Sequence, residues 1–193
     1  MDMSMYLEAV KGSIGALDTA VLTKFADTLA AAYEAEKTVF VIGNGGSGAN
    51  ASHFAQDMSK GIFLNHPTNK PFRALSLTDN TSYITAIAND DGYDKIFSTQ
   101  LHVFAKPGDL LVCISGSGNS KNIVEAIHYA KQNNIFVVGV TGYDGGILKK
   151  EADFSVHVPL NEMCTVESIH SVIFHLIILE LRERLTKQPF CGL

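Results

Sequence analysis

The chain has 193 residues, 46% of them hydrophobic and 18% charged, which is enough for one domain with a buried core. Its formal net charge of −5 argues against sequence-independent binding of nucleic acid or of an anionic membrane surface. The widely spaced cysteines Cys113, Cys164 and Cys191 form neither a disulfide framework nor a CxxC metal motif. The N-terminus lacks the pattern of a secretion signal, so we expect a cytoplasmic protein.

Amphipathic stretches alternate with short apolar runs along the whole chain. The predicted helices cover residues 5–34, 47–61, 119–132 and 163–185. The apolar runs predict buried strands at residues 38–42, 73–77, 110–114, 135–140 and 154–158. This alternation predicts an α/β fold, with a mainly parallel sheet covered by helices on both faces. Cys113 lies inside one of the apolar runs, and we expect it in the core.

The last predicted helix is apolar almost all round between residues 172 and 181. A helix of that kind must be buried on every side, and a domain of this size has few places for it. We therefore expect it to pack against another subunit, with a central position in its own monomer as the alternative. Its most apolar run, 172–179, is interrupted by His175 and is too short to span a bilayer.

Two loops rich in glycine and serine each follow a predicted strand and precede a predicted helix. The first is GNGGS at 43–47 and the second is SGSGNS at 115–120. Open α/β sheets bind ligands at the carboxyl ends of their strands, and the free N–H groups of a helix N-terminus attract anions. Neither loop has the lysine of a Walker motif, and the GxGxxG match in the first is weak. Together they predict a phosphate site, although either alone fits a plain strand-to-helix turn.

Histidines and carboxylates occur on two of the predicted helices. His53 and Asp57 are four residues apart and share a helix face, as either a solvated pair or two metal ligands. His175 fits either a site residue or a core histidine bonded to a backbone carbonyl. Glu167 precedes His175 by eight residues, about 12 Å along an α-helix, so we expect a shared metal site to draw on two subunits. His170 stays open as an alternative partner of Glu167.

In combination, these motifs resemble those of the phosphoheptose isomerases, a family of the sugar isomerase (SIS) superfamily. The pattern GNGGSxxxxxH, AIANDDG, ISGSGNS and VTGYDGG covers nearly the whole chain. The resemblance implies a flavodoxin-like SIS fold with a five-stranded parallel sheet, in a single domain over residues 1–193. It also implies that an N-terminal helical segment, about residues 1–35, packs in a homotetramer with active sites at subunit interfaces. The implied reaction converts sedoheptulose 7-phosphate into D-glycero-D-manno-heptose 7-phosphate.

The resemblance also assigns residues to the substrate site. The family's sugar-contacting loop corresponds to the first glycine loop, and its phosphate loop corresponds to the second. The implied substrate-binding residues are Asn44, Gly45, Gly46, Ser47, Asp57, Asn89, Asp90, Ser115, Gly116, Ser117, Ser120 and Glu167. Gly116 stands where the family has threonine, which removes one hydroxyl from the phosphate loop but no backbone donor.

A metal site is the third implication, with zinc as the implied cofactor. The family's zinc ligands His, Glu, Gln and His correspond to His53, Asp57, Glu167 and His175. All four can bind zinc, and the added carboxylate can strengthen cation binding or change the preferred metal. By the family's logic Asp57 and His175 are the catalytic pair that moves a proton through an enediol. An arginine common in the family is Gly61 here, with Lys60 beside it.

Two alternatives remain open at this point. The replication-initiator-associating protein has the same fold and tetramer but binds a partner protein, and it lacks the ligand-capable residues that this chain keeps at Asp57 and His175. An isomerase of the same fold for another sugar phosphate is the other alternative. The changes at Asp57, Glu167 and Gly61 keep that possibility open.

Overall fold

A computed structural model describes residues 2–63 and 70–187 of the chain. Its strands are β1 (Val39–Gly43), β2 (Ala74–Ser76), β3 (Leu110–Ser115), β4 (Phe136–Thr141) and β5 (Phe154–His157). They form one parallel sheet in the order β2-β1-β3-β4-β5. The predicted five-stranded parallel sheet is confirmed, and each strand boundary lies within one residue of the prediction. Every residue of β1 and β3 is buried, because helices cover both faces of the sheet.

Helices pack on both faces of the sheet, each against its own hydrophobic core. One face carries α1 (Met3–Gly15), α2 (Thr19–Glu34), α3 (Gly45–Gln56) and α8 (Met163–Thr186). The other carries α4 (Thr81–Asp90), α5 (Ser98–Phe104), α6 (Lys121–Gln132) and α7 (Gly146–Glu151). This is the doubly wound arrangement expected when strands and helices alternate.

The long N-terminal helix of the prediction is wrong, because the segment folds as two helices. α1 ends at Gly15 and α2 begins at Thr19. The Asp18 carboxylate between them accepts hydrogen bonds from the backbone N–H groups of Ala20 (2.9 Å) and Val21 (3.4 Å). Aspartate is a favoured N-cap because it satisfies these otherwise unpaired donors. The cap therefore begins a second helix within a stretch that hydrophobic periodicity predicts as a single helix.

α8 is buried on one side and open on the other. Ile173 and Ile177 pack in the core, whereas Val172 and Leu176 are 38% and 45% exposed. The helix is therefore not covered on all sides within one chain. Among the described residues it is also the one helix long and apolar enough to cross a membrane, so its length does not exclude a span. Half of its most apolar window is buried in the fold, as in core helices of soluble proteins.

The cysteines occupy unrelated places. Cys113 is fully buried in β3, as predicted, and burial raises the pKa of its thiol. Cys164 is exposed in the first turn of α8. Cys191 lies outside the described residues.

The sheet order brings the two glycine loops together. β1 and β3 are adjacent, and the chain continues from them to opposite sides of the sheet. This opens a crevice above their carboxyl ends, the place where open α/β sheets bind ligands. Gly43 ends β1 beside Ile114, and Ser115 ends β3. A Cβ at Gly43 would collide with the backbone of Ser47, so only glycine allows this tight turn from strand to helix.

Candidate active site

The first loop leads directly into α3. Gly45 has a φ of +55°, a left-handed conformation that glycine adopts readily. Gly46 is exposed beside it, whereas Ser47 is buried in the first turn of the helix. The loop therefore presents backbone N–H groups at the carboxyl edge of the sheet. Of the residues predicted here, Ser47 is the one whose side chain is turned inwards.

The side chain of Asn44 joins the first loop to the first turn of α6, which directly follows the second loop. Its Nδ2 donates to Asn122 Oδ1 (2.9 Å), and Asn122 Nδ2 donates back to Asn44 Oδ1 (2.8 Å). The Tyr93 hydroxyl donates to the same Oδ1 at 3.0 Å. Neither Asn122 nor Tyr93 was among the predicted site residues. A signal for Asn122 was present, because helical spacing places it with Ala126 and Ala130 on the buried face of α6.

The second loop is held by its own serines. Ser115 Oγ accepts a hydrogen bond from the Gly118 N–H (3.1 Å), and Ser117 Oγ accepts one from the Asn119 N–H (3.3 Å). Ser120 is the N-cap residue of α6, and its side chain makes no capping hydrogen bond. A cavity of about 590 Å³ opens beside this loop, lined by Asn44, Tyr93, Asp94, Ser120, Lys121 and Asn122.

Gly116 and Met163 share one space at the second loop. A Cβ at Gly116 would stand 2.6 Å from Met163 Sδ at the start of α8. The threonine that the resemblance leads one to expect at this position would therefore require Met163 to move. Met163 fills the space that a threonine side chain at position 116 would need. The sequence around Gly116 does not predict this contact, because Met163 lies on a distant helix.

The predicted Asn-Asp pair lies at the end of α4. Asn89 Nδ2 donates to Asp90 Oδ1 (2.7 Å), and both residues are exposed. The chain continues through Gly92 into a 3₁₀ turn, Tyr93–Lys95. The hydroxyl of Tyr93 connects this segment to Asn44 and so to the two loops.

α3 and α8 lie side by side and meet at intervals of about one turn. At the first contact, a Cβ on Gly46 would collide with the Glu167 carboxylate. One turn further on, Ser171 Oγ donates to Asn50 Oδ1 (2.7 Å), and Asn50 Nδ2 donates to the Glu167 carbonyl (3.2 Å). The residue numbers rise together on both helices, so the two helices run parallel. We call this line of contacts the α3–α8 seam; its members are Gly46, Asn50, His53, Glu167, Ser171 and His175.

At the far end of the seam, three predicted metal ligands come together. Asp57 Oδ2 lies 3.3 Å from His53 Nε2 and 3.9 Å from His175 Nε2. One possible ligand atom from each residue lies within 4.8 Å of the others. Two imidazoles and a carboxylate suit zinc with one position open, and they also suit other divalent metals. These side chains converge within one chain, without help from a second subunit.

A π-helical turn sets the position of Asp57. The helix predicted over residues 47–61 is α-helical to Gln56 and continues as a π-turn, Asp57–Gly61. The Ile62 N–H donates to the Asp57 carbonyl at 3.0 Å. The wider turn buries Met58 and Ile62 while Asp57 faces the histidines. Such turns are rare and occur frequently at functional sites.

Gly61, four residues after Asp57, stands where the resemblance implies an arginine. A Cβ at Gly61 would lie 3.3 Å from Asp57 Oδ1, which is tight for any larger residue. Lys60 is exposed.

Glu167 and His170 lie apart from the three-residue cluster. Glu167 contacts Gly46, two turns of α8 away from His175. His170 is fully buried, and its Nε2 lies 3.2 Å from the Thr141 carbonyl, to which it can donate. Burial lowers the pKa of His170 to about 4. The core histidine of α8 is thus His170, whereas His175 has a side chain that is 56% exposed.

The family model of the SIS domain matches residues 5–142, which is more than half of the chain. A protein of Thermoplasma acidophilum named probable phosphoheptose isomerase is 39% identical over 184 residues, covering 95% of this chain and all of that protein. The chain belongs to the phosphoheptose isomerase family of SIS-domain proteins. The phosphoheptose isomerase of Mycobacterium tuberculosis is 40% identical over 151 residues, covering 78% of this chain and 76% of that protein.

A solved phosphoheptose isomerase has the same fold. The structure from Neisseria gonorrhoeae superposes with a TM-score of 0.83 at 29% identity, covering 94% of each chain. Membership in the phosphoheptose isomerase family confirms the resemblance drawn from the sequence motifs, together with the flavodoxin-like SIS fold. It also places this chain among the sugar-phosphate isomerases.

Proposed function

We propose that this chain isomerises sedoheptulose 7-phosphate to D-glycero-D-manno-heptose 7-phosphate. The observation that carries the proposal is the position of the glycine loops and of the histidine–carboxylate cluster at the two ends of the α3–α8 seam. The glycine loops lie at one end, and His53, Asp57 and His175 meet at the other, with the α3–α8 seam between them. Gly46 and His53 are seven residues apart on α3, about 10 Å, so the substrate must be a chain rather than a compact group.

The second loop is the proposed site of the phosphate. It offers the hydroxyl of Ser120 and the first N–H groups of α6, with Lys121 beside them. The first loop is the proposed site of sugar hydroxyls, because the Glu167 carboxylate beside Gly46 disfavours a second anion there. Glu167, Asn89 and Asp90 are proposed as further contacts of the sugar.

The cluster at the far end of the seam is the proposed site of one divalent cation, with zinc as the first choice. His53, Asp57 and His175 would hold it, and their two imidazoles and one carboxylate fit it chemically. A bound cation would polarise the carbonyl and hydroxyl oxygens of the sugar. Glu167, implied as the fourth ligand, lies two turns away, so a Glu167 at that position would come from another subunit.

Asp57 and His175 are the proposed acid–base pair. One of them, through a nitrogen or oxygen atom that does not hold the cation, removes a proton from C1 of the ketose, which gives an enediol. That proton is returned to C2, and the O1 proton moves to O2, so that the carbonyl is regenerated at C1. Both groups lie at the surface of one chain, and their Asp57 Oδ2 and His175 Nε2 atoms are 3.9 Å apart.

A second subunit is the proposed source of the missing wall of this site. Large apolar side chains are exposed on α1 and α8, among them Met3, Met5, Leu7, Val172 and Leu176. We propose a homotetramer built on these faces, in which α1 packs against a neighbour and the active sites lie at subunit interfaces. A cytoplasmic location and the absence of nucleic-acid and membrane partners belong to the same proposal.

The activity is tested by mixing the protein with sedoheptulose 7-phosphate, with and without zinc, and following the aldose product by NMR. The proposal expects a heptose 7-phosphate product whose rate rises with bound metal. If product forms only from a pentose or hexose ketose phosphate, the protein is an isomerase with that sugar phosphate as its substrate. If no ketose phosphate gives a product and the chain captures a protein partner, the chain is a binding protein and not an isomerase.

The assembly is tested with Val172→Glu on the exposed side of α8. We expect light scattering to show dissociation of the tetramer and the NMR assay to show lost turnover. Val103→Glu is the matched control, because Val103 is 57% exposed on α5, on the opposite face of the sheet. It should keep the tetramer and the turnover of the wild type. A Val172→Glu protein that remains tetrameric would remove α8 from the interface.

A further inference from the structure

The two ligand loops are connected by a small cluster of side chains, Asn44, Asn122 and Tyr93, which we call the amide clamp. Asn44 follows β1 in the first loop, and Asn122 lies in the first turn of α6, just after the second loop. Two reciprocal amide hydrogen bonds join them, at 2.9 and 2.8 Å. The Tyr93 hydroxyl adds a third, at 3.0 Å. The clamp therefore spans the crevice above the neighbouring strands β1 and β3.

The clamp uses most of the hydrogen-bonding capacity of Asn44. An amide oxygen has two lone pairs, and those of Asn44 accept from Asn122 and Tyr93. One N–H of its Nδ2 is donated to Asn122, which leaves one for a ligand. Asn44 was predicted as a substrate contact, but in the structure its side chain first serves to join the loops. Asn122 is 2% exposed, so its amide is costly to leave without these partners.

A second anchor holds the same arrangement. Lys95, in the 3₁₀ turn with Tyr93, lies 2.7 Å from Glu125 on α6. The turn is thus tied to α6 by this ion pair and to the first loop by the Tyr93 hydroxyl. Asn44 and Tyr93 line both a cavity of about 290 Å³ and the larger one of about 590 Å³ beside the second loop. Two of the three clamp residues therefore border both spaces, and Asn122 borders the larger one.

We infer that Asn122 and Tyr93 are positioning residues, which fix the separation of the two loops and so the fit of a sugar phosphate across the crevice. This inference rests on the proposed function for its substrate. Its physical basis is that a sugar phosphate must contact both loops at once, and that Asn122 also holds the first turn of α6, whose N–H groups are the proposed phosphate donors. Loss of the clamp would let the loops move apart while leaving the cluster of His53, Asp57 and His175 unchanged.

The test compares Asn122→Ala and Tyr93→Phe with the wild type. Asn122→Ala should raise the KM for sedoheptulose 7-phosphate and the inhibition constant of inorganic phosphate by about tenfold, the effect of losing a buried hydrogen-bonded amide. Tyr93→Phe should raise both by about threefold. The change in kcat should be smaller than the change in KM or in the inhibition constant, because neither residue is placed at the reacting carbons. The double variant should show less than the product of the two effects, since both residues donate to one oxygen.

Asn133→Ala is the matched control, because Asn133 is also a hydrogen-bonded asparagine but is the C-cap residue of α6, at the far end from Asn122. Its KM should stay within about twofold of the wild type. Asn122→Asp loses the donor and adds a buried negative charge beside the proposed phosphate site, so it should weaken phosphate binding at least as much as Asn122→Ala. If Asn122→Ala fails to fold, Tyr93→Phe decides alone, because it removes one hydroxyl from a largely exposed residue.

The inference is overturned if the folded variants keep KM and phosphate affinity within twofold of the wild type, or if kcat falls while KM stays unchanged. The proposed function can fail separately. If the wild type isomerises no ketose phosphate, the dissociation constant of inorganic phosphate, measured by calorimetry, still decides the role of the clamp.

Discussion

The loop crevice and the His53–Asp57–His175 cluster are built in different ways. The crevice is a product of the sheet: adjacent buried strands end at Gly43 and Ser115, and the amide clamp joins the loops beyond them. The cluster depends on side chains of two surface helices, and both of its histidines are more than half exposed. A single chain thus builds the proposed ligand-binding half from its sheet and leaves the proposed catalytic half open to solvent. Binding and turnover should therefore fail separately when the molecule is altered.

The largest expected effect is loss of turnover at the cluster. His175→Ala and Asp57→Asn should each lower kcat by about 10² to 10⁴, the range for acid–base groups. Binding of inorganic phosphate at the loops should remain within about twofold, because neither residue lies there. Kinetics and calorimetry measure the two quantities. His128→Ala, in the exposed pair with Glu151, is the control. Full activity of either cluster variant would remove that residue from the mechanism.

A smaller effect concerns the stability that the buried histidine of α8, His170, contributes at different pH values. Burial holds the pKa of His170 at about 4, against about 6.5 when unfolded. Between those values the unfolded chain binds a proton that the folded chain does not. Stability is therefore fully present above pH 6.5 and falls by about 3 kcal/mol as the pH drops towards 4.

Urea unfolding across pH 4 to 7 checks this expectation. His170→Gln should have a shallower loss of stability with acid than the wild type. His102→Gln, an exposed site on α5, should retain the wild-type slope. Equal slopes for all three proteins would show that the buried imidazole does not control this part of the profile.

The third effect concerns the seam. Asn50→Ala removes the amide that joins α3 to Ser171 and to the Glu167 carbonyl. The two helices should lose register, and zinc affinity should fall by about tenfold, as for other groups that support metal ligands. Thr28→Ala on α2, also a hydrogen-bonded helix residue, should bind zinc normally. If Asn50→Ala binds zinc with unchanged affinity, apolar packing between the helices is sufficient to position His53, Asp57 and His175.

The smallest effect lies at the start of α8. The Glu162 carboxylate accepts hydrogen bonds from the Thr165 hydroxyl (2.6 Å) and from the N–H groups of Cys164 (3.0 Å) and Thr165 (2.7 Å). These bonds, the hydroxyl first, lower its pKa to about 2. A depressed carboxyl pKa stabilises the fold above about pH 4.5, and this contribution is lost towards pH 2. Glu162→Gln should lower the melting temperature slightly at pH 7 and less at pH 3, with Glu183→Gln unchanged at both.

The sheet and the two loops could be predicted from sequence because their signals are local. Buried parallel strands are continuous apolar runs, and glycines mark their ends. The histidines of α8 were harder, since both lie among apolar neighbours. Helical spacing does place His170 with Val166, Ile173 and Ile177 on the buried stripe, and it leaves His175 outside it. The alternative of a core histidine at His175 did not take this spacing into account.

Other features depend on contacts between distant segments. The pair Asn44 and Asn122 is 78 positions apart in the chain, and Gly116 meets Met163 only through the fold. The π-turn at Asp57 has no sequence signal in a stretch that is otherwise helical. Such features follow from how elements pack, so a single sequence predicts which residue types are present at a site better than which of them touch.

The ends of three helices have a consequence for how a ligand enters. α3, α6 and α8 all begin around the crevice, and each N-terminus carries about half a positive charge. The chain's own carboxylates meet two of them, Glu167 at α3 and Glu162 at α8. α6 has no acidic residue in its first turn. Under the proposed function, the phosphate of the substrate should therefore be drawn to the start of α6 despite the net charge of −5, which would align a linear molecule head-first before any specific contact forms.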